Sequence, residues 1–332
     1  MELPSSNALH RVIVPLASAA AFFILLALLI PYSSSLWAVK MSLGKLILSM
    51  CNFGQADTGS APFDYTQCLF VPPIFAYLVS LRWKELSSVP LRGSNLALIW
   101  IGLGILTYWF GMRAENQYFG YASLQILLAG VILWFWGWKV FRILLFPWAF
   151  FIFAWPMPFL DPIIAFPLRM VMSGMASHIL PLIGIPCVQD GTALLSAPDL
   201  AHNLPLGARF EIDIADPCSG IRSLFALLMF SALFGYLFLP RAWQQWVIFL
   251  SAFPLAILGN LARVILLVLG SIWFGTPFAI GTTEHPSAFH EGCGFAIYAV
   301  ALGMEFVLAS LLTRKWNFQD DHHDDDQAIG DL

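Results

Sequence analysis

The chain has 332 residues, is 59% hydrophobic and only 11% charged, and carries a formal net charge of −4. A soluble domain holds about a quarter charged residues, so the composition excludes an ordinary soluble enzyme. No basic, aromatic-interleaved surface points to nucleic acid.

Windows of about 17 to 22 nearly uncharged residues recur along the chain, as in membrane-spanning helices. The strict alternation of a spanning barrel is not seen. The expected fold class is an all-α polytopic membrane protein of about eight transmembrane helices with a small extracytoplasmic β-rich flap. The spans read as residues 12–30, 63–81, 95–111, 120–138, 141–156, 219–239, 243–272 and 290–312. The first has a basic start at His10 and Arg11. Its apolar run is too long for a signal-peptide core, so it is expected to stay as an anchor.

Basic residues near the span ends set the orientation. With the N-terminus inside, nine fall on the cytoplasmic side: Arg11, Arg82, Lys84, Arg92, Lys139, Arg142, Arg241, Arg314 and Lys315. Seven fall opposite: Lys40, Lys45, Arg113, Arg169, Arg209, Arg222 and Arg263. Both termini are therefore expected in the cytoplasm, with the protein multi-pass in the cell inner (plasma) membrane.

Residues 157–217 then form an extracytoplasmic insertion. It opens with an interfacial or membrane-dipping helix in "PFLDPIIAFPLRMVMSGMASHILPLIGIP". Turn signals at Asp-Gly, Ala-Pro and Leu-Gly, with the alternating run "ARFEIDI", predict a β-rich flap after it. Residues 243–274 are long for a simple span, and Pro254 with Gly259-Asn260 is expected to bend or break them. Residues 1–316 read as one integral-membrane domain. The acidic stretch 317–332 reads as a disordered, solvated cytoplasmic tail.

Three places carry chemistry. In "DIADPCSGIRSLFALLMF", Pro217 fits the first helical position and Asp216 the N-cap. Cys218 then sits in the first turn, where unpaired backbone N–H groups and the helix dipole favour a thiolate. Arg222, one turn later on the same face, adds positive potential, while Asp216 opposes it. The plain alternative is a Cys acting as apolar filler.

In "LGNLARVILLVLG", Arg263 lies among apolar residues, a costly position that usually faces a partner or a site. Asn260, three residues earlier on the same face, can hold the guanidinium or a substrate carbonyl. The alternative is an Arg snorkelling to the interface. In "TTEHPSAFHEGCGFAIYAVALGMEF", His290 opens the last span and Gly294 follows one turn later, allowing close approach. A neutral imidazole can take a thiol proton and return it. His285 is its rival, and an interfacial His without a role is the plain alternative.

A thiol, a base and a fixed cation near the ends of three spans make a kit for acyl transfer. Other chemistries fail on spacing. The five cysteines, Cys51, Cys68, Cys187, Cys218 and Cys293, include no C-x-x-C pair, against a thiol oxidoreductase or Cys-rich metal site. "HEGCG" lacks the second His of a zinc-protease helix. No Walker loop or G-x-S-x-G is present, so no cofactor and no metal are expected.

"DPCSGIRSL", "GNLARV" and "FHEGCGF" resemble, in order and spacing, the three signatures of the exosortase/archaeosortase family, and "CLFVPPIFAYLVSLRW" is similar to its second-span segment. The resemblance covers roughly residues 60 to 312. It implies a membrane cysteine protease or transpeptidase. Cys218 matches the nucleophile, Arg263 the conserved arginine and His290 the histidine, with Asp216, Arg222, Asn260 and Gly294 in support. It implies secreted protein substrates with a C-terminal sorting signal: a short motif, a transmembrane helix and a basic cluster. The acceptor is water, an amine, or a lipid or cell-surface group, and the active site faces outward. Pro217 departs from the Ala the family often has before the cysteine. A reading from a different class is a polytopic transporter or lipid-handling protein that binds an anionic headgroup through Arg222 and Arg263. A third is a structural subunit of an export apparatus.

Overall fold

The computed structural model describes residues 31–34, 39–42, 66–114, 116–155, 163–164, 166–214, 221–281 and 287–330. Side chains are described within residues 68–313, apart from those of 117 and 221–223. Two compact units are present, Met1–Met157 and Pro158–Leu332.

In the first unit, β1 (Pro31–Ser34) and β2 (Val39–Ser42) form an antiparallel pair. A 3₁₀ turn (Thr66–Phe70) leads into α1 (Val71–Leu81), followed by α2 (Trp83–Ser88), α3 (Leu96–Arg113) and α4 (Gln117–Phe135). Asn116 starts α4 as its N-cap, accepting from the Tyr118 N–H at 2.9 Å, the usual task of an Asn there. Helices α3 and α4 approach through glycines. A Cβ on Gly104 would lie 2.7 Å from the Leu127 side chain, and one on Gly130 would lie 2.8 Å from Ile101 Cγ1. Small residues serve this end in membranes, where hydrophobicity alone does not drive helices together.

Leu98, Ile99, Leu106 and Trp109 of α3 stay exposed, as a helix with lipid for its solvent allows. Gly137 then turns the chain with φ +78°, a conformation open to glycine. A Cβ there would lie 1.8 Å from the Arg92 carbonyl oxygen. Helix α5 (Gly137–Ile143) and the apolar stretch Leu145–Ala154, which contains α6 (Leu145–Phe150), meet at a 65° bend. Gln125 of α4 braces the bend: its Nε2 donates to the Trp148 carbonyl at 2.6 Å, and its Oε1 accepts from Trp155 Nε1 at 2.9 Å.

The second unit contains α7 (Phe166–Leu182), a sheet of β3 (Cys187–Asp190), β4 (Ala193–Ser196) and β5 (Glu211–Asp213), then α8 (Ile221–Phe238), α9 (Ala242–Phe274), α10 (Thr276–Ala279) and α11 (Ala288–Gly330). The sheet is antiparallel in the order β3-β4-β5, so the β-rich insertion expected after residue 186 is present. Its Asp-Gly signal becomes a tight turn with Gly191 at φ +60°. The alternation in "ARFEIDI" buries Phe210, Ile212 and Ile214. These pack in one core with Met172 and Leu180 of α7 and with Leu261, Val264 and Leu267 of α9. The flap is thus seated on α9.

Among the described residues, four helices are long and apolar enough to cross a membrane: Leu96–Arg113, Tyr118–Phe135, Ala242–Phe274 and Ala288–Thr313, with the bent pair as a fifth if it counts as one span. The expected span 12–30 lies outside the described residues. Within 63–81 the apolar helical stretch is Cys68–Leu81, and within 219–239 it is Leu224–Phe238. Eight spans are not seen among the described residues.

The expected break in 243–274 is corrected: α9 is one helix of 33 residues. Gly259 serves close packing: a Cβ there would lie 2.9 Å from Ile297 Cγ2 of α11. Pro254 lies on an exposed face of the helix.

Candidate active site

Helices α9 and α11 build the described part of the site. Their connection is short, and Ser287 fixes its end. The Ser287 Oγ accepts the His290 N–H at 3.0 Å, acting as N-cap of α11, and donates to the Ala279 carbonyl at 3.0 Å. One serine therefore starts the helix and ties it to the end of α10.

His290, in the first turn, is 1% exposed. Its Nδ1 lies 3.3 Å from the Ile280 carbonyl oxygen. A carbonyl only accepts, so Nδ1 carries the hydrogen in this contact, and Nε2 is the nitrogen able to take a proton.

Arg263 reaches the same turn from α9. Its Nη2 points at the His290 carbonyl oxygen from 3.5 Å, the outer limit of a hydrogen bond. The guanidinium lies against Gly294. A Cβ on Gly294 would be 3.1 Å from Nη2 and 3.2 Å from Cζ of Arg263. The sequence led to the expectation that Gly294 would admit a neighbouring helix; what it admits is this side chain. Asn260, buried at 5% exposure, joins Arg263 and Gly294 in lining a cavity of about 40 Å³, with Tyr298 and with Leu227 of α8 also in its wall.

Arg263, His290, Gly294 and Asn260 are thus together. Cys218 and Asp216 lie outside the described residues, as does His285, and Arg222 is placed on the first turn of α8 by backbone alone. The chain enters 215–220 from Ile214, which is buried in the same core as Leu261 and Val264 on either side of Arg263. It leaves at Ile221, and Leu227 on the second turn of α8 already lines the cavity.

Two residues escaped the sequence reading. Tyr298 is one turn beyond Gly294 and could have been found by that spacing. Glu305 is fully buried on α11 and contacts Ser231 of α8; an acid within an apolar span is itself a marker. Among the described residues no group of three or more His, Cys, Asp or Glu side chains could hold a metal ion.

On the flap, Arg209 and His202 both contact the Asp199 carboxylate, His202 Nδ1 at 2.8 Å. The hydrogen bond from His202 holds that carboxyl below its ordinary range. Cys187, at the sheet edge, has its thiol pushed up by burial.

The transmembrane exosortase (Exosortase_EpsH) family model matches residues 60–307. No curated protein and no solved structure matches the chain.

Proposed function

The chain belongs to the transmembrane exosortase family, and from that premise we propose that it is a cysteine peptidase or transpeptidase acting on the C-terminal sorting signals of secreted proteins. The observation that carries this reading is the Arg263 guanidinium set against the His290 turn and Gly294. It supplies a cation and a base with a defined basic nitrogen on adjoining helices.

In this reading the substrate's C-terminal helix lies among eight spans, with both termini of the enzyme cytoplasmic and the site on the outer face. His290 Nε2 takes the Cys218 proton, and the sulfur attacks the scissile carbonyl. Negative charge gathers on the carbonyl oxygen, where Arg263 and the N–H groups at the start of the Cys218 helix stabilise it. One such donor is worth about 3–4 kcal/mol. The intermediate collapses, His290 returns the proton to the leaving amine, and a thioester stays on Cys218. Water or an acceptor amine resolves it. Asn260 orients the guanidinium or the substrate carbonyl. Arg222 and Asp216 tune the thiol in opposite directions.

A headgroup-binding transporter fits less well. The cavity beside Arg263 is about 40 Å³, room for a few water molecules and well below the roughly 300 Å³ or more of a small-molecule pocket.

The test is to replace the native copy by Cys218→Ala, Arg263→Ala or His290→Ala in cells and read the C-terminal masses of secreted proteins. Each variant should reach the membrane and leave its substrates uncleaved. Continued cleavage in Cys218→Ala would rule the thioester mechanism out.

A further inference from the structure

Glu305 takes no part in that chemistry. It lies in a turn of α11 whose neighbours Met304, Phe306 and Val307 are all exposed, yet it is itself 0% exposed. Its Oε1 meets the Ser231 Oγ of α8, and its Oε2 is buried without a hydrogen-bond partner. Ser231 is also 0% exposed, and its Oγ lies 2.6 Å from the Leu227 carbonyl oxygen. Phe306 packs on Phe234 with ring centroids 4.6 Å apart, next to this contact.

The hydrogens can be counted. A serine hydroxyl has one, and a carbonyl can only accept. Ser231 has one hydrogen for two oxygens within reach, the Leu227 carbonyl and Glu305 Oε1; the carbonyl cannot supply one of its own, so it takes the hydroxyl's. What Ser231 then offers Glu305 is a lone pair, so the hydrogen between them comes from the carboxyl. A carboxylate would put two acceptors against one hydrogen and leave a charged oxygen buried with no donor, which an apolar interior does not tolerate.

We propose that Glu305 is held as a neutral carboxylic acid donating to Ser231, and that this acid–hydroxyl clamp is the positioning device that sets the register of α8 against α11. The chain of hydrogen bonds runs Glu305 to Ser231 to the Leu227 carbonyl, and the Leu227 residue walls the cavity beside Arg263. Its functional half rests on the peptidase reading, because α8 begins three residues after Cys218 and α11 begins two residues before His290. Glu305 is a positioning residue: it meets the reacting atoms only through the helices it joins.

The test has two arms. In the first, infrared spectra of the full-length protein in phosphatidylcholine vesicles are recorded in ordinary and deuterated water. The wild type should show the carbonyl stretch of a protonated acid, shifted by deuteration and missing in Glu305→Gln. In the second, the variants replace the native copy in cells and the masses of secreted proteins are read at matched enzyme level. Gln donates an N–H to Ser231 and keeps a neutral clamp, so Glu305→Gln retains processing. Leu keeps the size without a donor, so Glu305→Leu lowers processing about 3- to 20-fold, the range of an interhelical hydrogen bond.

If Glu305→Leu does not accumulate, Ser231→Ala serves instead, and should move the acid's stretch as well as lower processing. A wild-type spectrum without the acid band overturns the proposal, as does a Glu305→Gln variant no better than Glu305→Leu. Should Cys218→Ala continue to process, the peptidase reading falls while the infrared arm still decides the state of Glu305.

Discussion

Substituting Gly294 separates the geometry of the site from the stability of the fold. A Cβ at this position would stand 3.1 Å from Arg263 Nη2 and 3.2 Å from Cζ, inside ordinary van der Waals contact. Alanine therefore moves the guanidinium by a few tenths of an ångström, and leucine evicts it from the face of α11. Misplacement by 1 Å can cost about 100-fold in rate, so Gly294→Ala should lower processing by about tenfold or less. Gly294→Leu should lower it by about 100- to 1,000-fold, the range for losing an oxyanion donor. Stability should move the other way. Gly294 lies within α11, and alanine is favoured over glycine in a helix interior by about 0.8–1 kcal/mol. The assay pairs the fraction of secreted protein cleaved in cells with the melting temperature of the detergent-solubilised enzyme. A raised or unchanged melting temperature with reduced cleavage is the expected signature. Full cleavage by Gly294→Leu would refute the reasoning, since Arg263 would then not need its seat.

Arg263→Lys keeps the charge but loses the planar guanidinium that lies on Gly294; cleavage should fall nearly as far as in Arg263→Ala, measured by the same mass readout. Cys293 is a partly buried thiol one turn from His290, and Cys293→Ser should cleave within about twofold of wild type, because ordinary substitutions away from the reacting atoms change little. At neutral pH Cys187, pushed up by burial, should be alkylated more slowly than a free thiol, as counted by peptide mass spectrometry. The Asp199 carboxyl is held below its ordinary range in the folded state, so its contribution to the flap is complete above the ordinary carboxylate range and is lost as pH falls through the lowered value. Asp199→Asn should accordingly speed hydrogen exchange in residues 196–210 at neutral pH, with the difference from wild type vanishing in strong acid.

The parts of this molecule legible in the sequence are those with a local physical cause. Apolar runs place α3 and α4 within a few residues of their expected bounds, and the alternation around Ile212 places β5. Arg263 stood out because an apolar run exposes a guanidinium, and its spacing from Asn260 put both on one helical face. A break in α9 was expected because proline and glycine are general helix breakers; that Gly259 lets Ile297 approach depends on the partner helix, which a local reading does not see. The bend between α5 and α6 was missed for a similar reason, since the brace from Gln125 to Trp148 and Trp155 joins residues 23 and 30 positions away. Glu305 was overlooked although its composition signal was plain; its link to Ser231 spans 74 positions.

Arg263 and the His290 carbonyl that it faces are 27 positions apart on one helix–turn–helix, closed by Ser287. Contacts this near in sequence form fast. The ribosome makes residue 218 earlier than Arg263 and His290, so on the proposed mechanism the thiol emerges before its base and its oxyanion cation. On the proposed mechanism biogenesis is then a safeguard: a nascent copy lacks its proton acceptor and its oxyanion cation until its last two membrane helices have paired.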